Sequence, residues 1–190
     1  MNKIYISLGS NKGPSLKNIQ GSVVQIQKNI GILTDLSSLY QTPAWGFQGT
    51  DFLNACIGIK TVLSPKNVLH KLLEIEKQLG RVRSTESGYI SRTIDLDLLF
   101  YGDQIIESED LMLPHPRLEL RNFVLFPMVE LAPDFIHPRL GKNMTALSKV
   151  SPDTSQSQKM SLSEWSPDLF SENKLVFLLG LIVLYIFGFV

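Results

Sequence analysis

Two aspartates separated by one residue, inside an apolar run, constrain the fold of this chain most strongly. The run covers residues 92–101 and reads RTIDLDLLFY. Its β-branched, leucine and aromatic residues favour a strand. Successive side chains of a strand point to opposite faces. Asp95 and Asp97 therefore share one face, and the other face carries Ile94, Leu96 and Leu98. The run therefore predicts a strand that is buried on one face and carries two carboxylates on the other.

Two carboxylates at this spacing have two interpretations. Their Cα atoms lie roughly 6.5 Å apart in a strand, close enough for Asp95 and Asp97 to hold one or two divalent cations. The alternative is an edge strand with a solvated acidic face. The pair alone leaves both interpretations open.

Composition narrows the class of protein. The chain has 190 residues, 44% of them hydrophobic, which is enough for one domain with a core. Its 18 basic residues balance its 18 acidic residues, so no overall positive field favours nucleic acid as a partner. The single cysteine, Cys56, excludes an internal disulfide and fits a reducing compartment. We therefore expect the domain to be cytoplasmic.

The order of predicted elements indicates an α+β fold. Residues 81–91 form a loop before the acidic strand, and Pro127 is predicted to break a short helix over residues 121–131. The other predicted elements are strands over residues 3–8, 32–40 and 52–62, and helices over residues 16–30 and 65–79. The order β-α-β-β-α-β is typical of a ferredoxin-like antiparallel sheet layered with helices.

The chain divides into three predicted parts. Residues 1–150 form the main folded domain and residues 151–174 a polar, solvated linker. Residues 175–190 are all apolar or glycine; as a helix they would measure about 24 Å, against roughly 30 Å of hydrocarbon in a bilayer. We interpret them as a single transmembrane helix that tethers the domain to a membrane. The alternatives are a buried core helix and a tail produced by a reading-frame error.

Eight short motifs, in order along residues 3–148, resemble those of the 6-hydroxymethyl-7,8-dihydropterin pyrophosphokinase family of folate biosynthesis. Each motif alone is weak, but the RTIDLD run together with seven companions is highly specific. The motifs are Ile4–Asn11, Tyr40–Pro43, Phe52–Asn54, Gly80–Arg83, Arg92–Asp97, Pro114–Arg117, Arg121–Leu125 and Glu130–Pro133.

The resemblance implies an enzyme that transfers the pyrophosphoryl group of ATP to the hydroxymethyl group of a reduced pterin and releases AMP. It implies that Asp95 and Asp97 bind two Mg²⁺ ions that bridge the ATP phosphates. Carboxylates suit Mg²⁺, and phosphoryl transfer depends mainly on positioning and charge neutralisation.

The resemblance also implies roles for the other site residues. Arg81, Arg83 and Arg92 would act in catalysis beside the two aspartates. ATP would be bound by Glu76, Arg81, Arg92, His115 and Arg121. The pterin would be bound by Thr42, Pro43, Trp45, Phe52, Asn54 and Phe123. The ordinary alternatives are solvated surface charge for an arginine and core packing for Phe52 and Phe123.

One loop departs from the family pattern. Many members have Trp-Gly-Pro before Arg-Thr-Ile-Asp, whereas this chain has Gly88-Tyr89-Ile90-Ser91. Tyr89 is the aromatic residue that this loop offers instead. An alternative function is a non-catalytic, membrane-anchored protein that binds a pterin or a nucleotide on the same fold.

Overall fold

The computed structural model of this chain describes residues 1–44, 49–82, 91–160 and Trp165. The strands in these residues are β1 (Asn2–Ser10), β2 (Ile32–Leu36), β3 (Tyr40–Thr42), β4 (Phe52–Thr61), β5 (Asp95–Tyr101), β6 (Ile106–Glu107), β7 (Met112–Leu113) and β8 (Gln158–Lys159). The α-helices are α1 (Ser15–Asn29), α2 (Pro65–Gln78), α3 (Asn122–Leu131) and α4 (Met144–Val150).

Six of these strands form one antiparallel sheet in the order β5-β1-β4-β3-β8, and β2 also pairs with β4. The predicted α+β class with an antiparallel sheet is confirmed, and β1, α1, β2 with β3, β4, α2 and β5 follow each other as predicted. The strand predicted over residues 32–40 is split in two. Ser37 interrupts it, because its Oγ accepts a hydrogen bond from the Cys56 N–H. In a regular strand pair that N–H would donate to a backbone carbonyl.

Helices cover both faces of the sheet. In β1, Ile4, Ile6 and Leu8 face α1 and α2, whereas Tyr5 faces α3 and α4. The same alternation at the start of β5 buries Leu96 and Leu98 toward α1 and α2 and leaves Asp95 and Asp97 on the other face. The predicted orientation of the two aspartates is therefore confirmed.

The ends of α2 follow the local sequence. Ser64 caps the helix, since its hydroxyl accepts a hydrogen bond from the Asn67 N–H, and Pro65 occupies the first position. Gly80 follows the helix with φ +81°, a conformation that glycine adopts without strain. These two signals fix the length of α2.

The predicted break at Pro127 is wrong, because α3 runs without interruption from Asn122 to Leu131. A proline inside a helix removes one hydrogen bond and disfavours the helical backbone. Here Pro127, Leu125 and Met128 are all buried, and burial of this apolar helix against the sheet offsets that cost.

Residues 151–160 and Trp165 lie in the predicted solvated linker and contact the sheet, although none of residues 151–160 is buried. Strand β8 pairs with β3, and the Met160 N–H donates to the Leu39 carbonyl. Trp165 is 3% exposed, and its indole N–H donates to the Ser37 carbonyl at 3.1 Å. No periodic pattern in the sequence predicts this packing, because isolated apolar residues and backbone hydrogen bonds produce it.

The predicted transmembrane helix, residues 175–190, lies outside the described residues. Among the residues that the structure does describe, no helix has the length and apolar character needed to cross a membrane.

Candidate active site

The site begins on the sheet face that carries Asp95 and Asp97. In β1, Gly9 pairs with Asn54 of β4 on one side and with Asp95 of β5 on the other. A Cβ atom on Gly9 would lie 3.0 Å from Asn54 Oδ1, closer than side chains normally pack. Glycine therefore leaves open space between the amide and the carboxylate.

A first cavity opens over this floor and has aromatic and amide groups in its walls. Asn54 donates its Nδ2–H to Thr42 Oγ1 at 2.8 Å, and both side chains are buried, so the amide is held in one orientation. The cavity is lined by Ser7, Gly9, Thr42, Pro43, Phe52, Asn54, Arg92, Asp95, Asp97, Arg121 and Phe123. It thus brings together five of the six residues predicted to bind the pterin. The sixth, Trp45, lies outside the described residues.

A second cavity of about 520 Å³ lies beside the first and is richer in charge. It includes all five residues predicted to bind ATP: Glu76, Arg81, Arg92, His115 and Arg121. Apolar side chains, among them Leu69 and Leu73 of α2 and Met112 of β7, form part of its wall. The predicted catalytic residue Arg83 and the altered loop residues Gly88, Tyr89 and Ile90 lie outside the described residues.

The two cavities meet at four charged residues. Arg92, Asp95, Asp97 and Arg121 line both of them. A molecule in the first cavity and a molecule in the second would therefore approach each other over two carboxylates and two guanidinium groups.

Asp95 is the centre of an ion-pair network. Arg92 Nη1 lies 2.6 Å from Asp95 Oδ2, and Arg81 contacts both Asp95 and Glu76. Burial lowers the pKa of Arg81, but the charges of Asp95 and Glu76 outweigh it and raise the pKa overall. Arg81 therefore remains charged, and Asp95 holds both arginines at the edge of the second cavity.

Glu76 connects this network to the backbone of β5. Its side chain is 3% exposed, and its Oε1 accepts the Leu96 N–H at 2.8 Å as well as contacting Arg81. Leu96 lies between the two aspartates, so Glu76 fixes the strand segment that carries them. The predicted contact of Glu76 with ATP stays a prediction; these contacts give it a positioning role.

Asp97 and His115 have shifted pKa values. Burial and then the charge of Asp95 raise the pKa of Asp97 to about 7, although the nearby arginines oppose the shift. His115 Nε2 lies 3.8 Å from Asp97 Oδ1, and burial followed by the charge of Arg121 lowers the pKa of His115 to about 4. At neutral pH the His115 imidazole is therefore uncharged and does not offset the repulsion between the Asp95 and Asp97 carboxylates.

Sequence reasoning missed part of the lining. Ser7 and Gly9 lie within the first motif but carry no predicted role, and Leu69 and Leu73 lie in the predicted helix over residues 65–79 without one. A usable signal existed, since alternate residues of β1 on the face of Asp95 are small or polar. No comparable signal separates Leu69 and Leu73 from ordinary core residues.

Comparisons with known proteins point to one family. Residues 5–133 match the family model described as 7,8-dihydro-6-hydroxymethylpterin-pyrophosphokinase (HPPK). A Synechocystis protein named 2-amino-4-hydroxy-6-hydroxymethyldihydropteridine pyrophosphokinase is 42% identical over 143 residues, which are 75% of this chain and 72% of the relative. An Aquifex aeolicus protein with the same name is 37% identical over 139 residues, which are 73% of this chain and 85% of the relative.

A solved structure supports the fold. The crystal structure of wild-type Plasmodium falciparum HPPK-DHPS superposes with a TM-score of 0.63 at 15% identity, over 78% of this chain. The match spans only 44% of that longer chain. At this identity the similarity concerns the fold alone.

Proposed function

Since the chain belongs to the 7,8-dihydro-6-hydroxymethylpterin-pyrophosphokinase family and is an enzyme of that class, we propose that it transfers pyrophosphate from ATP to 6-hydroxymethyl-7,8-dihydropterin with Mg²⁺ bound by Asp95 and Asp97. Pyrophosphate transfer in folate biosynthesis is the activity of the family. The metal, the substrate contacts and the residue roles are the proposed part.

The observation that carries the proposal is the meeting of the two cavities at Arg92, Asp95, Asp97 and Arg121. A pterin is a flat, polar heteroaromatic that is best held by aromatic faces and in-plane hydrogen bonds. The first cavity offers Phe52, Phe123 and the fixed amide of Asn54. The second offers arginines for phosphate oxygens and apolar walls for a base.

The donor set suits Mg²⁺. The described residues contain no group of three or more His, Cys, Asp or Glu side chains that could hold a metal ion. Mg²⁺ often binds through one or two carboxylates and takes its remaining ligands from water and substrate phosphates. The raised pKa of Asp97 beside Asp95 marks two carboxylates whose repulsion a divalent cation would relieve. Two ions bound there would neutralise phosphate charge during transfer.

The chain's own residues would bind and orient the substrates. Arg92 and Arg121 line both cavities, and their guanidinium groups also lie 5.8 Å and 5.7 Å from the rings of Phe52 and Phe123. Each arginine could therefore donate to phosphate oxygens while covering an aromatic wall of the pterin cavity. This arrangement would align the hydroxymethyl group with the phosphates and exclude water.

The direct test is AMP release by the full chain from ATP and Mg²⁺. We expect AMP only when the hydroxymethyl pterin is present. A 6-methyl analogue, which lacks the hydroxyl nucleophile, is the control and should give no AMP. A folded sample that binds the pterin but releases no AMP would instead support the non-catalytic alternative.

We predict that metal affinity rises with pH. The folded pKa of Asp97 is about 7, against an ordinary value of 3.8. Without metal, the folded protein keeps this proton longer than the unfolded chain, so the contribution of Asp97 to the free energy of unfolding falls between about pH 4 and pH 7. Metal competes with the same proton, so apparent affinity should increase from about pH 6 to pH 8.

This pH dependence can be measured with Mn²⁺ as a spectroscopic substitute, titrated without nucleotide and followed by electron paramagnetic resonance. His115 does not titrate in this range, because its pKa is lowered to about 4. The Asp97→Asn variant is the control, and its weaker affinity should not vary with pH. A pH-independent affinity in the unaltered protein would contradict the assignment.

We also propose that residues 175–190 tether the enzyme to a membrane, on the strength of their uninterrupted apolar sequence. The full chain should stay with membranes after carbonate extraction. Deletion of residues 175–190 should release it with turnover unchanged, since the deletion leaves all described residues in place. A full-length chain found entirely in the soluble fraction would rule the tether out.

A further inference from the structure

The first turn of α3 carries Arg121 and Phe123 but lacks a cap of its own. The side chain of Arg121, at the N-cap position, makes no capping hydrogen bond, and the first turn contains no acidic residue. The first N–H groups of a helix have no acceptor within the helix and need one from elsewhere. The acceptor comes from a distant part of the chain.

Asp153 supplies that acceptor. Its Oδ2 accepts the Asn122 N–H at 2.7 Å, and its carbonyl accepts the Asn122 side-chain amide at 2.5 Å. The other carboxylate oxygen, Oδ1, accepts the Ser155 N–H at 2.8 Å, which fixes the orientation of the carboxylate. A negative charge here also complements the positive end of the helix dipole.

The segment that contains Asp153 is anchored on the opposite wall of the first cavity. We define the strap as residues 151–160 together with Trp165. Through β8 the strap pairs with β3, the strand that ends at Thr42. Lys159 Nζ lies 3.2 Å from Glu130 Oε1 of α3, and buried Trp165 donates to the Ser37 carbonyl. The strap thus contacts both elements that bear the pterin-cavity residues Thr42 and Phe123.

Glu130 reinforces the connection between these two elements. It accepts hydrogen bonds from the backbone and hydroxyl of Ser38 and from the Tyr40 hydroxyl. Burial opposes ionisation, but the bonds from Ser38, Tyr40 and Lys159 lower the pKa of Glu130 overall. The charged carboxylate therefore holds the far end of α3 against β3, while Asp153 holds its first turn.

We propose that the strap is a positioning element of the active site and that Asp153 is the positioning residue for Arg121 and Phe123. This inference rests on the proposed function, because that function assigns Arg121 to ATP and Phe123 to the pterin. Asp153 is not among the described residues that line either cavity. Its effect on the reaction passes through Asn122.

The test compares three variants of the full chain. Asp153→Ala should weaken equilibrium binding of the pterin and of ATP by about fivefold to tenfold, the size of a lost helix cap, with kcat changed by less than about twofold. Asp153→Asn should recover part of this binding, since its single amide oxygen can still accept the Asn122 N–H but cannot also accept the Ser155 N–H. Asp134→Ala, an exposed aspartate just after α3, is the matched control and should bind as the unaltered protein does.

Amide hydrogen exchange in residues 122–125 gives an independent readout, and it should be faster in Asp153→Ala than in Asp134→Ala. Binding constants of Asp153→Ala equal to those of the control would overturn the inference, even if its thermal stability fell. Binding by Asp153→Asn no tighter than binding by Asp153→Ala would also overturn the assignment to this hydrogen bond. An unaltered chain without turnover would overturn the proposed function instead, since binding and exchange test the strap in either case.

Discussion

Asp97→Ala is expected to lower kcat by at least about a thousandfold, because bound metal supplies several kcal/mol of transition-state stabilisation. Asp95→Ala should cause a loss of the same order, since the two carboxylates share one face of β5 at the junction of the cavities. Steady-state AMP release at saturating ATP and pterin measures both losses. Asp103→Ala, at an exposed aspartate in the turn after β5, is the control and should retain full turnover.

The stability of asparagine variants separates a metal role from a structural one. Without metal near pH 8, Asp97→Asn should unfold at the same temperature as the unaltered protein or at a higher one, because it removes one of two crowded carboxylates. Asp95→Asn should unfold at a lower temperature, because Arg81 and Arg92 lose a charged partner. Two variants with opposite stability changes and the same loss of turnover would exclude unfolding as the cause. Turnover within tenfold of normal in Asp97→Ala would contradict the metal role.

Among the substitutions proposed for this protein, Glu76→Ala is expected to cause the largest loss of stability, about 2–4 kcal/mol in the free energy of unfolding. The substitution removes a buried acceptor from the Leu96 N–H and a charged partner from Arg81. Urea unfolding of the metal-free protein measures this loss. Turnover should also fall, because Leu96 lies between the two aspartates.

Glu74→Ala provides the matched control on the same helix. The Glu74 side chain is 56% exposed and pairs with Lys71 on the surface, so its removal should change the free energy of unfolding by less than about 0.5 kcal/mol. Similar losses in Glu74→Ala and Glu76→Ala would show that Glu76 is not the link between α2 and β5.

Rules that depend only on neighbouring residues predicted the elements that neighbouring residues determine. The alternation in β5 determines the orientation of Asp95 and Asp97, and Ser64, Pro65 and Gly80 determine the ends of α2. Ser37 could not be recognised as a break in a strand, because its effect depends on the Cys56 N–H of another strand. The continuity of α3 through Pro127 likewise depends on burial against a sheet that the local sequence does not reveal.

Site residues could be predicted from the sequence where they lie in one of the family motifs and carry a side chain suited to the chemistry. The family resemblance implies pterin-binding roles for Thr42, Asn54 and Phe123; the structure brings them to one cavity, and their roles stay predictions. Gly9 contributes by the absence of a side chain, which only the close approach of Asn54 reveals. Asp153 was missed because its importance depends on a helix that begins 31 residues earlier in the sequence.

The central claim is that the group transferred at the junction of the two cavities is pyrophosphate. It is tested most directly with ATP labelled at the β-phosphorus, incubated with the full chain, Mg²⁺ and 6-hydroxymethyl-7,8-dihydropterin. We predict that the β label moves to the pterin in an amount equal to the AMP released, and that Asp97→Ala shows no transfer above background. Label recovered in ADP or in inorganic phosphate, with none on the pterin, would contradict the claim.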